Sequence, residues 1–156
     1  MAVRVEIVVV EGNKDAECYN LDEIRSRFGH FPSIAQEVYV YAIPVQKRMI
    51  LTAPELLVVC FRMPKPVTEC RVLYDLNCLA SAWCCIENIL LAMAGEGLYG
   101  VTYLPQNNSA LHAVLNIPEG REIAAIIPFG YPAANAIRMK QDTPILNDRL
   151  HIDRFC

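Results

Sequence analysis

The chain has 156 residues, a net charge of −3 and 54% hydrophobic residues; that length suits one domain with one core, and the apolar share exceeds that of ordinary soluble domains, which predicts an extensive subunit interface. Basic residues are scattered and form no stripe, which argues against a nucleic-acid partner. Seven cysteines, an odd count without a Cys-x-x-Cys pair, argue against a disulfide framework or a zinc site and fit a reducing cytoplasm.

The β-branched run over residues 3–10 reads as a buried strand, closed by Glu11-Gly12-Asn13. No secretory leader pattern is present in it. Asn20, with Glu23 three positions on, offers a capping box for a short helix over residues 21–28 that stops at Gly29. Tyr39-Val40-Tyr41 reads as a short strand closed by Pro44, and residues 56–61 as a clearer one between Pro54 and the Pro64 and Pro66 pair. Residues 73–94 contain neither proline nor glycine and predict one long helix, ended by Gly95 and Gly97. Its apolar residues run nearly all the way round. A membrane span needs about 20 such residues, but Asp75, Asn77, Glu87 and Asn88 interrupt this run and no aromatic or basic belt flanks it. Burial between a sheet and a partner subunit is the expectation, with no membrane involved.

After Gly100 comes an apolar stretch over residues 101–104, then a helix capped by Asn108 or Ser109 and running to Leu115. Glu119-Gly120 makes a turn and residues 123–127 form a second fully apolar strand. The tail after Pro132 is irregular, with an extended signal over residues 150–155. Strands separated by helices predict an α+β layered fold, a sheet flanked by helices, in a single domain over residues 1–156.

The catalytic inventory is thin. Gly95-Glu96-Gly97 with Gly100 imitates a dinucleotide fingerprint, but it ends a helix where such a turn would start one. Asp75 and Glu87 lie more than three helical turns apart, too far for an acid/base pair, and are expected to cap or to pair ionically at a subunit interface. No serine or cysteine sits in a nucleophile elbow. Cys78, Cys84 and Cys85 are expected as inert, buried hydrophobes. No catalytic side chain and no metal ligand is assigned, so any reaction is expected to be carried by a cofactor.

Three stretches, taken in order, resemble the FMN-dependent nitroreductase family. These are Asp75 followed by the apolar helix with Leu90-Leu91-Ala92 and Gly97-Leu98-Tyr99-Gly100; Ile117-Pro118-Glu119-Gly120 leading to Gly130-Tyr131-Pro132; and the ending from Pro144-Ile145-Leu146 to Arg154-Phe155. The resemblance implies a homodimer with FMN at the subunit interface, NAD(P)H as hydride donor, and a nitro compound, quinone or similar small molecule as acceptor. It places Thr102, Tyr103, Leu104 and Pro105 against the flavin ring, their backbone amides near N5, where negative charge develops on reduction. Gly130 and Tyr131 would lie beside the cofactor. Arg138 and Lys140 match the spacing of the family's phosphate-binding basic pair with the two residue types exchanged; the alternative for this pair is a solvated surface turn.

The departures are at the other end. The family's Arg-Arg-Ser-x-Arg phosphate grip and its Pro-Ser-x-x-Asn flavin segment have no counterpart in this sequence, and Pro32-Ser33 follows the first strand where the family motif precedes it. Either the chain is an N-terminally shortened member with an incomplete FMN site or its start lies upstream. A flavin-free dimer that retains the fold for binding or assembly is the alternative reading.

Overall fold

Two strands, β2 (Glu55–Arg62) and β4 (Arg121–Gly130), carry apolar residues at successive positions without the alternation of a half-exposed sheet. Such runs are stable where both faces are covered, and here Val58 to Phe61 and Ile123 to Ile127 are all buried. The structure, a computed structural model, describes residues 5–10, 33–105, 108–137, 144–146 and 149–152. Among them the sheet has four strands in the order β1-β2-β4-β3, every pair antiparallel. β1 is Val5–Val10 and β3 is Tyr99–Gly100. Val59 faces Ala125 while Cys60 faces Ile123, so Ala124 is an extra residue that bulges β4.

Helices cover the two faces. On one face lie α1 (Ser33–Thr52), through Ile50, and α3 (Asn108–Leu115), through Leu111; with Leu56, Val58, Cys60, Tyr103 and Ile126 these form one core cluster. On the other face α2 (Asn77–Gly95) packs Ala82, Ile86 and Met93 against Val59, Phe61, Ala125 and Ile127. The layered α+β expectation holds.

Two elements differ from the sequence reading. The expected strand at Tyr39-Val40-Tyr41 belongs instead to α1, a helix that runs through Pro44. Pro44 forfeits one backbone bond, but Ile50 buries in the sheet-side cluster and Ile43, two helical turns away, is buried as well, and that tertiary packing outweighs the proline. The long helix also starts differently: Leu73–Leu76 is a separate 3-10 turn, and the α-helix begins at Asn77. Asp75 explains this start. Its carboxylate accepts from the Arg71 and Val72 backbone N–H groups at 2.8 and 3.2 Å and pairs with Lys65 at 2.8 Å, tying the turn to the preceding loop. Asp75 is thus a cap and an ion-pair partner within its own chain. Asn108 does open α3. The helix expected over residues 21–28 lies outside the described residues, as do residues 153–155 of the extended signal near the C-terminus; residues 150–152 of that signal form no strand.

Both expected helix stops are realised by left-handed residues. Gly97 has φ 72°, and Leu98 N–H donates to the Met93 carbonyl at 2.8 Å. Asn116 does the same for α3 with φ 51°, and Ile117 N–H reaches the His112 carbonyl at 3.0 Å. Each is a Schellman ending, which needs a residue tolerant of positive φ. The glycine cluster is therefore a helix stop and not a nucleotide loop.

Candidate functional site

The expected site stretch continues β3 along the edge of the sheet. Tyr103 and Ile126 exchange both backbone bonds, each at 2.8 Å, and Val101 N–H donates to the Pro128 carbonyl at 3.4 Å. In an antiparallel ladder the bonded pairs recur at every second residue. Val101 and Tyr103 therefore turn their peptide groups inward to β4, while Gly100 and Thr102 turn theirs outward, away from the sheet. The result is a short row of backbone donors and acceptors at an open edge.

The sequence-assigned residues separate into two groups along this edge. Tyr103 is buried in the core through its ring, Thr102 and Pro105 are half-buried, and Leu104 is exposed. Gly130 lies opposite Tyr99, at the other end of β3, and Tyr131 follows it with 77% of its surface exposed. At about 3.3 Å per residue, the Tyr103 and Tyr99 ends of the strand are roughly 13 Å apart. Arg138 and Lys140 lie outside the described residues. Gly130 has a reason of its own for lacking a side chain: a Cβ there would stand 3.0 Å from Pro54 Cδ. Gly100 is likewise held small from inside, by Ile127 Cγ2 at 3.0 Å and Phe129 Cβ at 3.3 Å.

Between the two groups, on the α1 side of the sheet, opens a cleft of about 360 Å³. Met49, Thr52 and Ala53 at the end of α1 form one wall; Tyr99 and Val101 on β3, with Pro128 and Phe129 on β4, form the other. The lining is apolar apart from the Thr52 hydroxyl, which donates to the Arg48 carbonyl at 2.8 Å, and main-chain groups. Sequence reasoning missed the α1 wall because the strand read at Tyr39-Val40-Tyr41 was closed at Pro44 and residues 45–53 were assigned to no element, and it missed Gly100 because only the bonding parity of β3 marks it.

Other titratable groups are structural. Arg121 on β4 holds Glu6 on β1 in a two-pronged pair across β2, one of its bonds being Nη2 to Oε1 at 3.0 Å. Cys60 lies between them, and burial, with the Glu6 charge adding to it, pushes its thiol up to about 11. A thiol so placed is inert at neutral pH. Cys84 departs from expectation: it is exposed on α2. Among the described residues no cluster of His, Cys, Asp or Glu could hold a metal ion.

The segment of residues 73–95 is long and apolar enough to cross a membrane by length and composition. In this fold it lies on the sheet through Ala82, Ile86 and Met93, as a core helix does, and among the described residues nothing covers its outer face, where Leu91 is 61% exposed.

No protein-family model and no curated protein matches the sequence. Solved structures do match the fold. An iodotyrosine deiodinase bound to FMN and 3-iodo-L-tyrosine superposes with a TM-score of 0.63 at 20% identity, over 97% of this chain and 77% of the other. A nitroreductase-like protein from Bacillus cereus gives 0.59 at 18%, over 96% and 73%. An FMN-dependent nitroreductase from Clostridium difficile gives 0.59 at 16%, over 97% and 76%. The chain has the nitroreductase fold.

Proposed function

We propose that this chain is an FMN-dependent oxidoreductase of the nitroreductase type, cytoplasmic and homodimeric, that uses NAD(P)H to reduce a small acceptor such as a nitro compound or a quinone. The observation that carries this reading is the open edge of β3, where the Gly100 and Thr102 peptide groups point away from the sheet, in a fold whose solved relatives include FMN proteins. Fixed backbone N–H groups suit a ring edge on which negative charge develops, because they need no reorganisation. Thr102 to Pro105 would position the ring, and Gly130 and Tyr131 would lie beside it. When bound, FMN supplies the hydride chemistry that no side chain here provides.

The described residues fit the ring better than the phosphate. The phosphate contacts that the resemblance gives are Arg138 and Lys140. Because the sequence holds no Arg-Arg-Ser-x-Arg segment, a flavin-free dimer with a binding or assembly role is the second reading. The homodimer itself is supported by the uncovered outer face of α2.

A flavin-fluorescence titration of the 156-residue chain separates the two readings. Charge-assisted bonds contribute about 1.5–3 kcal/mol each, so without the arginine segment FMN should bind weakly, by several powers of ten compared with a full set of contacts. Arg138→Ala with Lys140→Ala should abolish that binding and its salt dependence, while riboflavin, which has no phosphate, is little affected. Unchanged FMN binding in the double variant would remove the basic pair from the site, and no binding of either flavin by the unmodified chain would favour the flavin-free dimer.

A further inference from the structure

We propose that the end of the sheet where β2 closes and β4 opens binds an oxyanion of the phosphate class between the guanidinium groups of Arg62 and Arg121. The two arginines are direct cross-strand partners, so their side chains leave the same face of the sheet about 5 Å apart at Cβ. Like charges set opposite each other are unfavourable unless an anion lies beside them. Glu6 meets half of that need. It faces Cys60, on the same face and one row in from the arginines, and accepts from Nε and Nη2 of Arg121. The Arg121 side chain therefore crosses β2 between Cys60 and Arg62, and only 19% of it is exposed. Arg62 is exposed and, among the described residues, makes no ion pair and no side-chain hydrogen bond. Glu122 is opposite Phe61 and turns to the other face, so it does not neutralise Arg62.

The cluster thus sets two positive charges against one negative, and its two cations differ in kind. Arg121 is fixed by a carboxylate that takes Nε and one terminal nitrogen, which leaves Nη1 without a partner among the described residues. Arg62 is free to turn toward it. A tetrahedral oxyanion can accept from two guanidinium planes at once, and charge-assisted bonds of this kind are the strong ones. Because Arg121 is already held, only Arg62 must be ordered on binding. β4 is 10 residues long, so the cluster lies roughly 30 Å from Gly130 at the other end of the strand. Oxyanion binding here is independent of flavin.

Inorganic phosphate is the probe, titrated into the full chain at about pH 8, where it is a dianion, with chloride exchanged for phosphate at constant ionic strength. Backbone amide shifts should saturate with a Kd on the order of 1 mM and centre on Glu6, Arg62 and Arg121. Arg62→Ala, made at an exposed side chain, should weaken binding about tenfold, the loss of one charge-assisted contact. Arg71→Ala removes the same charge from an exposed position in the loop before α2 and should leave the Kd unchanged. Binding should also survive Arg138→Ala with Lys140→Ala, which separates this cluster from the phosphate contacts expected for FMN. Shifts that do not saturate, or that weaken equally in Arg62→Ala and Arg71→Ala, show an adventitious ion only and overturn the proposal. Full binding by a folded Arg62→Ala protein overturns it too, as does loss of binding in the Arg138→Ala, Lys140→Ala protein.

Discussion

Asp75 shows how much one side chain can organise. The Lys65 ammonium first, and then the Arg71 and Val72 amides, hold its carboxyl down at about 2, from an ordinary value of 3.8. Because the folded-state value is depressed, the stability Asp75 contributes is fully present above about pH 4 and is lost as the pH falls toward 2. Asp75→Asn should flatten the acid limb of stability in that window, measured by denaturant melts between pH 2 and 5, and should lower stability at pH 7. An unchanged acid limb would mean that Lys65 and the two amides do not hold the carboxylate in solution. Cys60 runs the other way: its raised thiol favours the folded state below about pH 9, and that contribution is lost as the pH rises toward 11.

At the scale of elements, the ends of α2 and α3 were legible, whereas the starts of α1 and α2 were not. A left-handed stop is a local requirement, so Gly97 could be identified from its place after an apolar run, and its φ of 72° agrees. Nothing crowds a Cβ at that position, so Gly97→Ala tests conformation alone. It should cost about 1–2 kcal/mol, read as a lower melting temperature with unchanged helix content. A neutral result would show that the helix can end without Gly97 in the left-handed region. The start of α2 escaped the sequence reading because the 3-10 turn is held by Lys65, ten positions upstream of Asp75, and helix propensity carries no record of such a partner. α1 escaped because Pro44 was read as a stop, although the burial of Ile43 and Ile50 overrides it.

At the scale of the whole molecule, the two sides of α2 allow folding to be tested apart from the proposed association. Ala82 and Ile86, on the helix expected between a sheet and a partner subunit, are 0% and 1% exposed against the chain's own sheet. Ile86→Asp should therefore destabilise the fold itself, by about 3–5 kcal/mol. Leu91→Asp, on the uncovered side, should leave the melting of the isolated chain within about 0.5 kcal/mol but shift light scattering from dimer to monomer at micromolar concentration. A Leu91→Asp protein that remains dimeric would place the interface elsewhere.

Composition and pattern by themselves determined that this is a layered α+β chain: β2 and β4 announce double-sided burial by unbroken apolar runs, and residues 73–94 announce a helix by their length without proline or glycine. These are local signals, set by the periodicity of the backbone and the water-avoidance of its side chains. The order and spacing of short motifs reached further, to the nitroreductase fold. Only the tertiary structure decided which face of α2 is spent on the sheet, that residues 33–52 are helical, and that the Gly100 and Thr102 peptide groups face outward. Each of those depends on pairing between residues far apart in the chain, and bonding parity along a ladder exists only once the partner strand is in place.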